Sequence, residues 1–347
     1  MDDSDNTAAL DLRALTPWLL STLPGARPPF TATQIGGGQS NLTYRLADAQ
    51  GHIWVLRRPP LGALLASAHD VIREAKFLVA LQGSPVAVPR VYAAHECPPG
   101  ADTPVVLMEY IDGHSVDSEA AALELPAPAR ERAGMALSEM LADLHRVRHD
   151  TVGLADLARP RPYAERQLTR WARQWNSSSR QQLTLFEEVT SELRRVADPS
   201  MAQSVLHGDL HLRNVLLNRH TGDVRTVLDW ELAAIGEPLA DLGTLLAYWQ
   251  DGNDSALPPF PETRVPDFVG HQQLVNAYEA RVGIPVPLGR LRFWHALALW
   301  KIAIILQGVI DRAAGAVTDA LSEASSSTDD VIRLLEAALT VVRDPTL

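Results

Sequence analysis

The sequence has 347 residues, which is enough for one large two-part domain or two ordinary domains. Its hydrophobic content of 46% and charged content of 21% are typical of a globular protein with a sizeable core. A net charge of −11 argues against binding to nucleic acid or to an anionic membrane surface, and the single cysteine, Cys97, excludes an intrachain disulfide.

The first 110 residues predict a small antiparallel sheet that carries one helix. A helix is expected at 8–23, because its apolar residues recur at helical spacing until LPGARPP interrupts them. The elements predicted after it are strands at 31–35, 41–47 and 53–58, a helix at 68–82, and strands at 90–94 and 105–110.

The character of the sequence changes after Asp112 and Gly113, where helical periodicity takes over. Short strands are expected only near 204–206, 215–217 and 224–228. The predicted helical segments are 127–148, 163–196, 238–250, 267–282, 290–314 and 328–343. The sequence therefore predicts an α+β fold with two lobes, a β-rich N-terminal lobe at 1–111 and a larger helical C-terminal lobe at 112–347.

One apolar stretch, 293–310, has nearly the length of a membrane span. It contains His295, Lys301 and Gln307, so a buried helix is expected there instead. The opening residues, MDDSDN, lack the basic start and apolar run of a signal peptide. We expect a cytoplasmic protein without a membrane partner.

The most informative motif is HGDLHLRN at 207–214, followed by VLDW at 227–230. Phosphoryl transfer needs a carboxylate that aligns the attacking hydroxyl and accepts its proton, and Asp209 is suited to this role. It also needs oxygen ligands that hold Mg²⁺ against the phosphates, and Asn214 and Asp229 supply such oxygens. The motif predicts a catalytic loop at 207–214.

These motifs resemble the aminoglycoside phosphotransferase and choline kinase superfamily, which shares the protein-kinase fold. A narrower likeness is to the kinase-like domain fused to certain acyl-CoA dehydrogenases and to its free-standing bacterial relatives. The segments that carry it are GGGQSNLTYRL (36–46), VLRRPP (55–60), RQLTRWARQW (166–175), HGDLHLRN and VLDWELAAIGEPLADLGTLLAYW (227–249).

The resemblance implies ATP and Mg²⁺ as cofactors, Asp209 as the catalytic base, and Asn214 and Asp229 as the metal ligands. It implies that His207 and Gly208 shape the catalytic loop and that Asp241 braces it through hydrogen bonds. A plain helix cap after Pro238 is the alternative role for Asp241.

A glycine-rich segment, GGGQSN, joins the first two predicted strands. Backbone amides in such a loop, together with the Ser40 hydroxyl, can donate hydrogen bonds to phosphates. The nucleotide-binding candidates of this segment are Gly36, Gly37, Gly38, Ser40 and Asn41.

The resemblance also implies a cation on the third strand that contacts the phosphates and pairs with a carboxylate on the next helix. Strand alternation places Val55 and Arg57 on one face and Leu56 and Arg58 on the other. Arg57 is therefore the candidate cation, Val55 is expected to cover the adenine, and Glu74 is the expected partner. Arg58 remains the alternative to Arg57.

The segment LMEYIDG (107–113) resembles a kinase hinge, and the predicted hinge is 108–113. The resemblance implies that the Glu109 carbonyl and the Ile111 amide hold the edge of the adenine, with Met108 lining the back of the pocket.

The resemblance places an acceptor pocket beside a helical insertion at 155–200, with Arg166, Gln167, Arg170 and Trp171 as candidates. The expected partner is a small-molecule hydroxyl acceptor. The narrower likeness points to a hydroxyacyl compound, such as a hydroxyacyl-CoA thioester, and the broader family points to an aminoglycoside, whose amines call for acidic residues. The arginines at 159–173 fit an anionic acceptor better, and a charged helix face is the other explanation for them.

Two other function classes remain open on sequence alone. His207, Asp209 and His211 form H-x-D-x-H, which could bind a transition metal in a hydrolase. The chain could also be a pseudokinase that binds nucleotide without transferring phosphate, although Asp209, Asn214 and Asp229 are all present.

Overall fold

The structure is a computed structural model that describes residues 10–35, 41–60, 70–178, 183–251, 260–315 and 327–344. It divides into two compact units. The first contains the residues up to Asp112 together with Thr226–Ala233, and the second contains Gly113–Arg225 and the residues from Ala234 onwards. The sequence predicts that all of 112–347 belongs to the helical lobe, whereas the structure groups Thr226–Ala233 with the first unit.

The first unit is built on a five-stranded antiparallel sheet with the strand order β1-β2-β3-β5-β4. One helix, α2, follows β3. Leu15 and Leu19 of α1 belong to the same hydrophobic core cluster as Tyr44, Leu46 and Leu56 of the sheet. The elements are α1 (Leu12–Thr22), β1 (Thr31–Gln34), β2 (Leu42–Ala47), β3 (Ile53–Arg58), α2 (Val71–Leu81), β4 (Val91–His95) and β5 (Val105–Glu109).

Strand β3 lies inside the sheet and shows why alternate residues have different surroundings. Its burial alternates along the strand, so that Leu56 and Arg58 are buried and Val55 and Arg57 are only partly so. Arg58 is 1% exposed, and its Nη2 donates to the Tyr44 hydroxyl at 3.1 Å. The buried face therefore contains Arg58, and Arg57 lies on the opposite face.

The second unit is mainly helical. Its elements are α3 (Glu119–Leu123), α4 (Ala127–Arg146), α5 (Tyr163–Ser178), α6 (Thr184–Arg195), β6 (Ser204–Leu206), β7 (Val215–Leu217), β9 (Ala234–Gly236), α7 (Leu239–Tyr248), α8 (His271–Val282), α9 (Leu288–Gly315) and α10 (Thr328–Arg343), and β8 (Val224–Val227) crosses the boundary between the units.

Two short elements of this unit were missed by the sequence. Helix α3 has five residues, and β9, which pairs antiparallel with β6, has three. The five residues of α3, EAAAL, are too few to show a helical period, and β9, AIG, ends in glycine, which strands disfavour. The predicted α+β class, with a small antiparallel sheet in one part and a larger helical part, is confirmed.

Helix α9 is the central helix of the second unit. Among the described residues, one helical segment, Leu288–Asp311, is long and apolar enough to span a membrane, with a mean hydropathy of 1.6 and 78% of its most apolar window buried. Gly243 of α7 lets the two helices approach, because a Cβ atom there would be 2.5 Å from the backbone carbon of Trp294. The burial identifies α9 as a core helix.

Candidate active site

The first unit contains an ionic centre made of one arginine and two carboxylates. The Nε atom of Arg57 lies 3.0 Å from Oε2 of Glu74, and its Nη2 atom donates a hydrogen bond of 2.6 Å to Oδ1 of Asp229. The side chains of Arg57 and Glu74 are 14% and 4% exposed, whereas that of Asp229 is 31% exposed. The guanidinium therefore lies between the two carboxyl groups, hydrogen-bonded to Asp229 and in a close ion pair with Glu74.

Glu74 is the most deeply buried member of this centre. Burial raises the pKa of Glu74 to about 7, with Arg57 and the Trp230 amide opposing the change and Asp229 adding to it. The amide of Trp230 donates to Oε1 of Glu74 at 3.3 Å. Arg57 therefore serves one buried carboxyl group and one partly exposed carboxylate, and the exposed carboxylate is the one available to a ligand.

The segment that carries Asp229 is held in the first unit by backbone contacts. The Val227 amide donates to the Ala87 carbonyl at 2.9 Å, and the Arg73 guanidinium donates to the carbonyls of Glu231 and Ala233. Asp229 itself has a left-handed backbone with φ 61°. Asp tolerates this conformation better than most residues, and its occurrence here indicates a backbone held by its surroundings.

Other predicted nucleotide residues also lie in the first unit. Val55 and Met108 are register partners in β3 and β5, and Met108 is 6% exposed. Glu109 ends β5, where its amide donates to the Arg90 carbonyl, and Ile111 follows two residues later, partly exposed. Asn41 is 5% exposed, and neither polar atom of its amide has a hydrogen-bond partner in the described part of the chain. The predicted residues Gly36, Gly37, Gly38 and Ser40 lie outside the described residues.

The loop at 207–214 is anchored by a buried carboxylate in the second unit. Asp241, in the first turn of α7 and 1% exposed, accepts hydrogen bonds from the amides of His207 at 2.7 Å and Gly208 at 2.8 Å. Its Oδ2 is also 3.4 Å from Nε2 of His145, whose Nδ1 lies 2.8 Å from the Tyr278 hydroxyl. Asp241 thus holds the two residues that precede Asp209.

Asp209 is surrounded by polar groups from three elements. The Tyr248 hydroxyl donates to Oδ1 at 2.9 Å, Nζ of Lys301 is 3.5 Å from the same oxygen, and Nε2 of His211 is 3.6 Å from Oδ2. Burial would raise the pKa of Asp209, but Lys301, His211 and Tyr248 more than offset it and hold this pKa well below its usual range. The carboxylate is therefore ionised at neutral pH.

Asn214 lies at the end of the same loop, in a short 3-10 turn. Its Nδ2 donates to the Asp209 carbonyl at 2.9 Å, which directs the amide oxygen the other way. An amide oxygen oriented by its own nitrogen is a suitable ligand for a hard cation such as Mg²⁺, and the partly exposed Asp229 carboxylate offers the same donor type. The donor types of these two residues fit magnesium.

Lys301, like Tyr248, is a site residue that the sequence missed. It lies on α9, 93 positions from Gly208, and its Nζ donates to the Gly208 carbonyl at 2.6 Å. The available signal was compositional, because Lys301 and Lys76 are the only lysines among 31 basic residues. A lysine within an apolar helix of an arginine-rich chain is a candidate for a specific role.

The predicted acceptor residues lie on α5 in the second unit. Trp171 is buried and donates from Nε1 to Oε1 of Gln167 at 2.9 Å, while the Arg170 guanidinium stands 5.1 Å from the centre of the Trp171 ring. The other ring contact of Trp171 is Lys301, at 5.5 Å. Arg166 turns elsewhere and donates to the Ile235 carbonyl at 2.9 Å. Gln167 and Arg170 therefore contact Trp171, and Trp171 contacts Lys301, which lies beside Asp209.

The histidines of the H-x-D-x-H motif do not form a metal cluster with Asp209. The Nδ1 atom of His207 accepts a hydrogen bond from the Asp209 amide, and His211 packs on Tyr248 with ring centres 4.4 Å apart. Across the described ranges, no group of three His, Cys, Asp or Glu side chains could hold a metal ion. This geometry gives no support to a transition-metal hydrolase.

The comparison with protein families agrees with this arrangement. Residues 31–263 match the model of a phosphotransferase enzyme family. The chain is 32% identical over 318 residues to acyl-CoA dehydrogenase family member 11 of Mus musculus, a match that covers 87% of this chain and 39% of the mouse protein. The chain spans 27% to 40% of the length of the acyl-CoA dehydrogenase relatives that it matches.

Solved structures show the same fold. A protein from Ralstonia eutropha that is assigned to the aminoglycoside phosphotransferases is 26% identical, with a TM-score of 0.74 and coverage of 96% of this chain and 97% of the other. The GDP complex of aminoglycoside 2'-phosphotransferase-IIIa is 16% identical, with a TM-score of 0.61 and coverage of 94% and 98%. These likenesses confirm the predicted kinase-like fold.

The fold and the family match define the class of this protein as phosphotransferases of the kinase-like type. The chain belongs to the phosphotransferase enzyme family, and its sequence is similar to the part of the acyl-CoA dehydrogenase family members that it covers.

Proposed function

We propose that this chain is an ATP- and Mg²⁺-dependent kinase that transfers the γ-phosphate to a hydroxyl group of a small molecule. The observation that carries the proposal is the anchored loop at 207–214, in which Asp209 is ionised, partly exposed and fixed by neighbours on either side. A positioned carboxylate of this kind is what phosphoryl transfer needs beside the attacking hydroxyl.

In this proposal Asp209 orients the acceptor hydroxyl and receives its proton as the new O–P bond forms. The bond between the γ-phosphorus and the bridging oxygen breaks, and ADP leaves with that oxygen. Asn214 and Asp229 are the proposed Mg²⁺ ligands, and the ion supplies charge neutralisation for the phosphate oxygens when it is bound.

The proposed nucleotide residues of the first unit have separate roles. Arg57 contacts the phosphates while Glu74 and Asp229 fix its guanidinium. Val55 and Met108 are proposed to contact the base, with Glu109 and Ile111 reading its edge. The amide of Asn41, for which the described part of the chain offers no hydrogen-bond partner, is a further group that a bound nucleotide would satisfy.

The acceptor is proposed to be anionic, because arginines dominate a groove of about 520 Å³ at the start of α5. This groove, the arginine groove, is lined by Arg159, Arg161, Arg166, Arg170 and Arg173 with Pro160 and Thr169. Arg161 of this groove forms a 3.6 Å pair with Glu165, and both side chains are well exposed. In a chain of net charge −11, such a cluster favours a negatively charged ligand.

The charges of the arginine groove also repel one another. Burial lowers the pKa of Arg166, and the neighbouring Arg159 and Arg161 lower it further. An anion that enters the groove relieves this repulsion, whereas a polyamine such as an aminoglycoside adds to it. A hydroxyacyl-CoA thioester combines a hydroxyl with several negative charges and is the acceptor class that we propose.

The function is tested by measuring Mg-ATP binding by calorimetry and ³²P transfer from labelled ATP to a panel of acceptors. The panel contains 3-hydroxybutyryl-CoA, free 3-hydroxybutyrate, choline and kanamycin. We expect Mg-ATP to raise the melting temperature by mass action and the thioester to give the most labelled product. Binding of Mg-ATP with no labelled product from any acceptor would indicate a pseudokinase, and absence of nucleotide binding would refute the proposal.

The acceptor class is tested separately with Arg173→Gln, which removes an exposed charge from the arginine groove. We expect a higher KM for the thioester and an unchanged KM for Mg-ATP, with a difference that shrinks as salt is added. Arg195→Gln is the matched control, because Arg195 is an exposed arginine on α6 that pairs with Glu192. Equal effects of the two variants would contradict an anionic acceptor in this groove.

A further inference from the structure

Lys301 is a buried lysine of α9 whose ammonium group contacts the backbone of Gly208, the residue before Asp209. The residue is 6% exposed, and its Nζ is 2.6 Å from the Gly208 carbonyl and 3.5 Å from Oδ1 of Asp209. A buried ammonium group is costly unless its charge is compensated. Asp209 supplies the opposite charge and Gly208 supplies the hydrogen-bond acceptor.

The two oxygens of Asp209 have different surroundings. Oδ1 receives the Tyr248 hydroxyl at 2.9 Å and lies beside the Lys301 ammonium. Oδ2 faces His211, whose Nε2 is 3.6 Å away and therefore beyond hydrogen-bond distance. Within the described ranges, no side chain donates a hydrogen bond to Oδ2, and the Asp209 side chain keeps 22% of its surface exposed.

The helices that hold these groups are themselves tightly packed. Tyr248 and Asp241 lie on α7, and Lys301 lies on α9. Gly243 of α7 permits the close approach of these two helices. On its other side Lys301 lies 5.5 Å from the centre of the buried Trp171 ring. The position of Nζ is therefore fixed from several directions.

We propose that Lys301 is a positioning residue for phosphoryl transfer, which holds the Gly208 carbonyl and Oδ1 of Asp209 so that Oδ2 receives the proton of the acceptor hydroxyl. The inference rests on the proposed kinase function. The ammonium keeps its proton throughout. The acceptor O–H bond breaks, its proton passes to Oδ2, and the oxygen forms the new bond to the γ-phosphorus as ADP leaves.

The choice of lysine fits this role. An ammonium is compact and can direct its protons to a carbonyl and a carboxylate that lie close together, whereas a guanidinium needs a wider planar site. The chain uses arginine at 29 of its 31 basic positions, so this departure is specific to the site. Arg57, which bridges two carboxylates, illustrates the arrangement for which a guanidinium is suited.

The first experiment compares Lys301→Met with the wild type in ATP hydrolysis, with water as the acceptor, and in transfer to 3-hydroxybutyryl-CoA. We expect kcat to fall by roughly 10- to 100-fold, the range for loss of one charge-assisted hydrogen bond, while the Kd for Mg-ATP stays within about twofold. Lys76→Met is the matched control, because Lys76 is exposed on α2. A kcat near that of the wild type, or a parallel loss of nucleotide affinity, would overturn the inference.

Chemical rescue separates positioning from general support of the fold. Lys301→Cys is made in a Cys97→Ser background, so that position 301 has the only thiol, and is alkylated with 2-bromoethylamine to restore an ammonium at nearly the original distance. We expect most of the lost kcat to return, whereas alkylation with iodoacetamide, which adds no charge, should restore none. Equal results with the two reagents would overturn the role of the charge.

A third measurement needs no turnover. Protein labelled with ¹³C at the lysine ε-carbon gives two signals, because the chain has two lysines. We expect Asp209→Asn to shift the signal of Lys301 and to leave that of Lys76 in place, and an unshifted Lys301 signal would overturn the ion pair. Failure of the kinase function would show instead as a wild-type protein that does not bind Mg-ATP.

Discussion

The ionic centres around Arg57 and around Lys301 use different cations for different geometries. In the first unit, Arg57 spans two carboxylates that come from a helix and from the returning segment Thr226–Ala233. In the second unit, Lys301 serves one carboxylate and the carbonyl that precedes it. A planar guanidinium suits two separated oxygens, and a compact ammonium suits two oxygens of neighbouring residues.

The two centres also differ in the direction in which the pKa of the carboxyl group is shifted. The pKa of Glu74 is raised to about 7, chiefly by burial, whereas Lys301, His211 and Tyr248 hold the pKa of Asp209 well below its usual range. Burial acts in the same direction on both groups. Beside Glu74, burial and the charge of Asp229 together outweigh the opposing charge of Arg57, whereas three groups lower the pKa of Asp209.

The largest expected effect separates the roles of Asp209 and Asp229. We expect Asp209→Asn to lower kcat by about 10²–10⁴-fold, the usual contribution of a general base, with the Mg-ATP affinity nearly intact. Asp229→Asn should weaken Mg-ATP binding by roughly tenfold or more, as well as abolish transfer, because a proposed metal ligand is lost. Calorimetry with Mg-ATP and ³²P transfer measure the two quantities. Full transfer activity in Asp209→Asn would remove the catalytic loop from the proposal.

The next effect compares the neighbours Arg57 and Arg58. Arg57→Met should lower the affinity for Mg-ATP by about tenfold or more, because a charge-assisted contact to phosphate is lost. Arg58→Met should mainly lower the melting temperature, because Arg58 is buried and hydrogen-bonded to Tyr44. Thermal unfolding without nucleotide, together with calorimetry, gives both values. If Arg58→Met alone impairs nucleotide binding, the cation has been assigned to the wrong residue.

A third prediction concerns the anchor of the catalytic loop. Asp241→Asn keeps one acceptor oxygen, so one of the amides of His207 and Gly208 loses its partner. We expect the free energy of unfolding to fall by about 1–3 kcal/mol, the cost of an unsatisfied buried group. Asp150→Asn is the control, because Asp150 forms an exposed pair with Arg148 that water screens, so little change in stability is expected. Urea unfolding of both variants distinguishes an anchor from a surface carboxylate.

The smallest effect is a pH dependence in the first unit. The folded-state pKa of Glu74, about 7, exceeds its ordinary value of 4.5, so the folded protein retains this proton more strongly. The stability from this group is fully present below pH 4.5 and is lost as the pH rises through 7. The difference in unfolding free energy between wild type and Glu74→Gln should therefore change between pH 4.5 and 7, by about 1 kcal/mol per pH unit or less.

Urea titrations of the wild type and Glu74→Gln at several pH values measure this difference. Parallel curves for the two proteins over that range would contradict the raised pKa. Adding Mg-ATP is a useful extension, because Arg57 would then contact phosphates as well as Glu74.

Much of the fold was predictable because local patterns were strong. Strand β3 has the predicted bounds, and α10 begins and ends where its apolar periodicity does. The three-residue strands β6 and β7 were predicted from their apolar residues, whereas AIG in β9 ends in glycine and EAAAL in α3 is too short to show a helical period. The return of Thr226–Ala233 to the first unit could not be predicted, since it depends on contacts of Glu74 and Arg73 with distant backbone groups.

The sequence alone determined the identity of the residues that carry the proposed chemistry. The spacing within HGDLHLRN and VLDW singles out Asp209, Asn214 and Asp229, and strand alternation separates Arg57 from Arg58. These site assignments stay predictions, and each depends on residues that are close in the chain or on a backbone with a fixed period.

Only the tertiary structure decided what surrounds those residues. Tyr248 reaches Asp209 from 39 positions away, and Lys301 reaches Gly208 from 93 positions away. Neither pairing has a sequence period, because both depend on how α7 and α9 pack at Gly243. Electrostatic energies fall off with distance in space, so a contact between elements that are remote in the chain sets the charge and the orientation of Asp209.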